Sequence, residues 1–151
     1  MEKTRKNLKT SSIVVLALAG LSLLNIIFEL FFGELNKELN SAVIPDGAPD
    51  NIVLIAQIFV LIISILLLLP HLYIGIKGLK IAKNPDASKG HIVWGIILIV
   101  LTVIEFFSPL LALIQGNGGA FANISEMCSI AVDIFVLFEY VKYARAVRNG
   151  I

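Results

Sequence analysis

Four apolar runs, each long enough to cross a lipid bilayer, leave this chain few ways to fold. A helix rises about 1.5 Å per residue, so roughly 20 apolar residues span the hydrocarbon core. The runs fall at about residues 11–32, 52–82, 92–114 and 120–143. The first, Ser11 to Phe32, has 22 residues and would reach about 33 Å as a helix. Between the second and third lies GIKGLKIAKNPDASKGHIVW, Gly75 to Trp94, where Lys77, Lys80, Lys83 and Lys89 face only one acid, Asp86. Asn84-Pro85-Asp86 marks a turn, so this stretch reads as the tip of a helical hairpin.

Charge then sets the orientation. The N-terminal segment carries Lys3, Arg5, Lys6 and Lys9 against Glu2, and the chain ends on Lys142, Arg145 and Arg148. Both termini and the hairpin tip are therefore basic, which places them on the cytoplasmic side. The segment from Gly33 to Asn51 holds Glu34, Glu38, Asp46 and Asp50 against Lys37, and the short Gln115–Gly119 connection carries no charge; both are expected outside. The glycines of QGNGG suit a tight turn between neighbouring helices. A basic start before an apolar run also occurs in secretory signals, and Ala17-Leu18-Ala19 looks like a cleavage site. The apolar run continues to Phe32, so helix 1 is read as a span.

Composition agrees. The chain of 151 residues is 58% hydrophobic and 15% charged, more apolar than a small soluble domain can bury. A net charge of +1 argues against nucleic-acid binding. With Cys128 as the only cysteine, no intramolecular disulfide or multi-cysteine metal site can form. The expected fold is all-α: a single transmembrane domain built as an antiparallel four-helix bundle.

Sliding the chain against itself exposes a possible duplication. LYIGIKGLKIAKN, Leu72 to Asn84, lies over LFEYVKYARAVRN, Leu137 to Asn149, and Phe28-Glu29-Leu30-Phe31 lies over Ile104-Glu105-Phe106-Phe107. Two hairpins of the same orientation would be related by an axis along the membrane normal. The plainer account is that two helices ending in the cytoplasm resemble each other anyway.

Charged groups inside a bilayer cost about 3 kcal/mol each on insertion scales, so those present need a reason. Glu29, Glu105, Glu126 and Asp133 are the candidates. By helix rise, Glu105 lies about 15 Å and Glu126 about 9 Å below the outer ends of their helices. Asn25, Glu29, Gln57, Glu105 and Glu126 are expected to converge in an outward-facing pocket that attracts a cation or shares protons. Asp133, deeper, is expected to be either a hydrogen-bonding partner between helices or one step in a proton path. The plainer account makes each of them a hydrogen-bonding link between helices. Gln57, Ser64, His71 and Gly78 recur every seventh residue and form a polar or small seam on the second helix; Pro70 is expected to bend that helix. Glu126, Asp133 and Tyr140 share a face of the fourth. His71 and His91 lie near the cytoplasmic boundary, with Glu139 the one carboxylate clearly at their depth; interfacial hydrogen bonding is expected of them rather than metal binding.

Lys77, Lys80 and Lys83, and again Lys142, Arg145 and Arg148, form basic stripes on helix ends that suit anionic lipid headgroups, or an acidic partner. No phosphate loop, HExxH, GxSxG or CxxC is present, so neither catalysis nor a cofactor is expected. Asn123-Ile124-Ser125 fits a glycosylation sequon at the membrane edge.

Gly75-Ile76-Lys77-Gly78-Leu79-Lys80-Ile81-Ala82-Lys83-Asn84-Pro85 resembles the GxxGLxxAxNP-like cytoplasmic hairpin of small, uncharacterised four-span membrane proteins of Gram-positive bacteria. The layout is also similar in architecture to MARVEL and claudin-type proteins. The claudin Trp-and-cysteine signature is missing, so barrier function is not implied. These likenesses imply a multi-pass protein of the cell membrane and no catalytic residue. The leading expectation is a non-enzymatic membrane protein acting through helix packing, as an accessory subunit or homo-oligomer. The alternative is a small oligomeric cation or proton transporter or channel. A lipid-directed enzyme using Glu105 and Asp133 is a third idea, without a nucleophile or metal set to support it.

Overall fold

The computed structural model describes residues 2–32, 50–84, 89–116 and 119–150, and all regular structure among them is α-helical. The helices are α1 (Glu2–Phe32), α2 (Asp50–Lys83), α3 (Gly90–Ile114) and α4 (Ala120–Arg148). All four contain a stretch long and apolar enough to cross a membrane. The turn at Asn84-Pro85-Asp86, the acidic 33–49 segment and the middle of QGNGG lie largely outside the described residues.

The helices run beyond the apolar runs that announce them. α1 begins at Glu2 rather than Ser11, and α4 continues through the basic tail to Arg148. An apolar run reports solvent, whereas a helix ends only where backbone bonding stops. Lys, Arg and Leu are good helix formers, so the polar flanks extend the spans. Lys80 and Lys83 close α2, and Arg145 and Arg148 close α4, where cations oppose the negative end of the helix dipole. α2 passes through Pro70 and α3 through Pro109 without interruption of the assignment. α3 stops at Gly116, whose φ of +70° is the left-handed conformation that glycine adopts without penalty. There Gln115 N–H donates to Leu111 C=O (2.9 Å) and Gly116 N–H to Leu113 C=O (3.3 Å).

The chain forms two compact units, Met1–Ala17 with Pro70–Ile151, and Leu18–Leu69. In the second, Leu21, Leu24 and Phe28 of α1 and Ile55, Phe59 and Leu66 of α2 are exposed. The first holds most of the buried side chains. Leu8, Ser12 and Val15 are buried on α1; Ile74, Gly78 and Ile81 on α2; His91, Gly95, Leu98 and Thr102 on α3; Leu137, Tyr140, Ala144 and Val147 on α4. Each set advances by alternating steps of three and four, the spacing that keeps one narrow stripe turned toward a neighbour.

Tyr140 is the centre of this packing. It is fully buried, and its hydroxyl donates to the Ile74 carbonyl on α2 at 2.8 Å. Its ring lies between two glycines. A methyl group added to Gly78 would overlap Ser12 Oγ and sit 2.6 Å from the Tyr140 ring. One added to Gly95 would meet Val141 Cγ2 at 2.7 Å, with the Tyr140 ring 3.5 Å away. Small residues thus bring α2 and α3 close to α4, the usual device of apolar helix pairs. Ser12 satisfies its own hydroxyl by donating to Leu8 C=O at 2.7 Å.

Candidate functional site

One turn or two beyond Tyr140 the packing changes character, and His71 of α2 meets Asp133 of α4. His71 follows Pro70 on α2 and stands one heptad before Gly78. Asp133 stands one heptad before Tyr140 on α4. The close approach of Gly78 and Tyr140 therefore sets the register that brings His71 level with Asp133. His71 Nε2 lies 3.8 Å from Asp133 Oδ2, with side chains 18% and 29% exposed. Glu105 on α3 interacts electrostatically with both, Asp133 and His71. It lies three residues after buried Thr102 and four before buried Pro109, yet its own side chain is exposed.

This corrects the expectation that Glu139 alone matched the histidines in depth. Asp133 meets His71, and Glu139 instead pairs with Lys142 at 2.9 Å. Counting residues from helix ends misplaced Asp133, because it ignores how far each helix runs past its apolar stretch and how neighbouring helices are staggered. The two histidines have different surroundings. His91 is fully buried and meets the Tyr140 ring edge-on, centroids 6.3 Å apart at 86°. Among the described residues, no group of three His, Cys, Asp or Glu side chains is placed to hold a metal ion.

The other expected residues are dispersed or outside the description. Asn25 is exposed on α1 and Glu126 is exposed on α4. Glu29 lies in α1 and Gln57 in α2, with side chains outside the described set. Of the five residues expected to line an outward pocket, Glu105 interacts electrostatically with Asp133, which was expected to lie deeper. Along the basic helix ends, Lys80, Lys83, Lys142, Arg145 and Arg148 are exposed and Lys77 is half-buried. Lys142 also lies over the Tyr143 ring, 5.1 Å from its centroid. Asn123 is buried within α4, a poor position for a glycosylation acceptor.

A further feature escaped the sequence reading. A cavity of about 300 Å³ opens between α1 and α4, polar toward the basic end at Asn7, Ser11 and Glu139 and apolar at Val14 and Phe135. Its α1 wall belongs partly to the polar start of that helix, which the apolar run does not include.

No family model matches the chain, and neither a curated protein nor a solved structure matches it.

Proposed function

We propose that this chain is a multi-pass protein of the cell membrane, an antiparallel four-helix bundle with both termini cytoplasmic. It works without catalysis, by packing its helices against a membrane partner or a second copy. The observation that carries this reading is the exposed apolar surface of α3 and α4 away from the basic end. Ile104, Phe107, Ile114 and Phe121 are 60%, 54%, 73% and 87% exposed. In water such a continuous patch would drive aggregation; in a bilayer it is available to lipid and to other helices. The pairing of Gly95 with Val141 and of Glu105 with Asp133 supports opposite directions for α3 and α4, since one number rises as the other falls. Exposed cations at the ends of α2 and α4 support contact with anionic headgroups on the cytoplasmic face, each worth about 1 kcal/mol near the surface.

Purification from native membranes in a gentle detergent tests the reading. A stoichiometric membrane partner or a uniform homo-oligomer is expected. A monodisperse monomer with neither would overturn it. Cation or proton transport by an oligomer is the second reading, favoured by the approach of His71 to Asp133. It requires ion flux in proteoliposomes that is lost in Glu105→Gln.

A further inference from the structure

The cavity between α1 and α4 has a graded wall, and helix register gives the direction of the grade. Ser12 and Leu16 of α1 border Gly78 and Gly75 of α2, so α1 runs against α2. Tyr140 borders Gly78 and Asp133 meets His71, so α4 runs along α2. α1 and α4 therefore run against each other, which sets Asn7 toward Tyr143 and Val14 toward Phe135. Down both helices the wall passes from polar, at Asn7, Thr10, Ser11 and Glu139, to apolar, at Val14 and Phe135. Its polar end is the basic end of the bundle. Thr10, Val14 and Phe135 are exposed, so the cavity is open along its side.

We propose that this cavity holds one phospholipid of the cytoplasmic leaflet, recognised by a primary-ammonium headgroup, that of phosphatidylethanolamine. The polar wall is built to accept hydrogen bonds. Thr10 Oγ1 donates its hydrogen to Lys6 C=O at 3.1 Å, and Ser11 Oγ donates to Asn7 C=O at 3.0 Å. Both hydroxyls then have only lone pairs left to offer. Glu139 adds a carboxylate. Lys142 Nζ donates to its Oε1 at 2.9 Å, and a carboxylate has further lone pairs to accept with. An ammonium carrying three N–H donors meets such a wall, whereas a quaternary ammonium has no N–H to bring to it.

The charges match as well. Glu139 and Lys142 set one negative and one positive group side by side, as the headgroup sets its ammonium beside its phosphate. With the ammonium at Glu139, the phosphate falls to Lys142, whose side chain is 54% exposed. Lys3, exposed one turn before Asn7 on the same face of α1, is the second cation on that side. Asn7 to Val14 measures about 10 Å along the helix. The cavity volume of about 300 Å³ is at the lower end for ligand pockets. That room suits a headgroup, its glycerol and the first methylenes, with the acyl chains continuing past Val14 and Phe135 into the bilayer. The inference rests on the membrane placement proposed above, which supplies the lipid and sets the polar end of the cavity at headgroup level. It differs from general attraction of surface cations to anionic lipid, because it names a zwitterion and a single place.

Native mass spectrometry of the full chain in detergent tests this, with dioleoyl phosphatidylethanolamine, phosphatidylcholine and phosphatidylglycerol added in turn. The first phosphatidylethanolamine is expected to bind about tenfold more tightly than either of the others. Glu139→Gln should remove the preference over phosphatidylcholine. Val14→Trp, at an exposed position, should fill the apolar end and weaken phosphatidylethanolamine binding, and it serves if the Gln variant does not fold. Equal binding of phosphatidylethanolamine and phosphatidylcholine by the wild type would overturn the site, as would a preference that both variants keep. Tightest binding of phosphatidylglycerol would show anion attraction by the lysines and would overturn it too. Carbonate extraction of native membranes separates the two proposals. A chain released by carbonate contradicts membrane placement, whereas a retained chain without the headgroup preference contradicts the lipid site alone.

Discussion

The two ends of α3 and α4 are built by opposite means. At the basic end, glycines and one tyrosine bring helices into contact, and Leu137, Tyr140 and Ala144 are completely buried. At the opposite end Phe121, Ile114 and Ile104 stand mostly exposed. Both ends carry apolar side chains, so hydrophobicity alone does not separate them. How closely the helices approach does. In the bilayer proposed for this chain, a medium as apolar as the side chains themselves, burial contributes little between helices, and close packing with satisfied hydrogen bonds must hold them. Gly78 and Gly95 allow that approach at one end. At the other end Gly116 and Gly119 have open space around them. The His71–Asp133 pair sits where one regime gives way to the other.

Breaking the packed end should cost most. Tyr140→Ala removes a fully buried ring together with its bond to Ile74, and a loss of about 4 kcal/mol is expected, read as the midpoint shift in steric-trap or denaturant unfolding in micelles. Gly78→Ala places a methyl group against Ser12 and Tyr140 and should cost about 2 kcal/mol by the same assay. Pairing it with Ser12→Ala should recover part of that loss, because the nearest clashing atom is Ser12 Oγ. Tyr140→Phe keeps the ring and loses only the hydroxyl, so about 1 kcal/mol is expected. At the open end, Phe121→Ala should change stability by less than about 0.5 kcal/mol. If Phe121→Ala dissociates a partner or an oligomer instead, the open end is the interface. A Phe121→Ala loss as large as that of Tyr140→Ala would erase the contrast between the ends.

Much of this contrast can be read from the residues, although not its assembly. The four spans follow from the apolar runs. The seam of His71 and Gly78 and the face of Asp133 and Tyr140 follow from seven-residue spacing. What spacing cannot provide is register, meaning which residue of one helix stands level with which of the next. Here Gly78 under the Tyr140 ring fixes it, and His71 meets Asp133 as a consequence. The steps of four and three from His91 through Gly95, Leu98 and Thr102 mark the buried side of α3, a signal present in the sequence and passed over in favour of depth. The buried Leu8 and the cavity wall at Asn7 were missed because the polar start of α1 was taken as flank rather than helix.

The central claim is that the packed, basic end faces the cytoplasm and the open end faces outward. Thiol labelling of intact cells tests it, with Cys128 replaced by Ser and one cysteine introduced at a time as Asn84→Cys, Gly116→Cys or Asn149→Cys. The account predicts that a membrane-impermeant maleimide labels the cysteine at 116 in intact cells, and those at 84 and 149 only after the membrane is opened. Equal labelling of all three, or labelling of 84 and 149 on opposite sides, would contradict it.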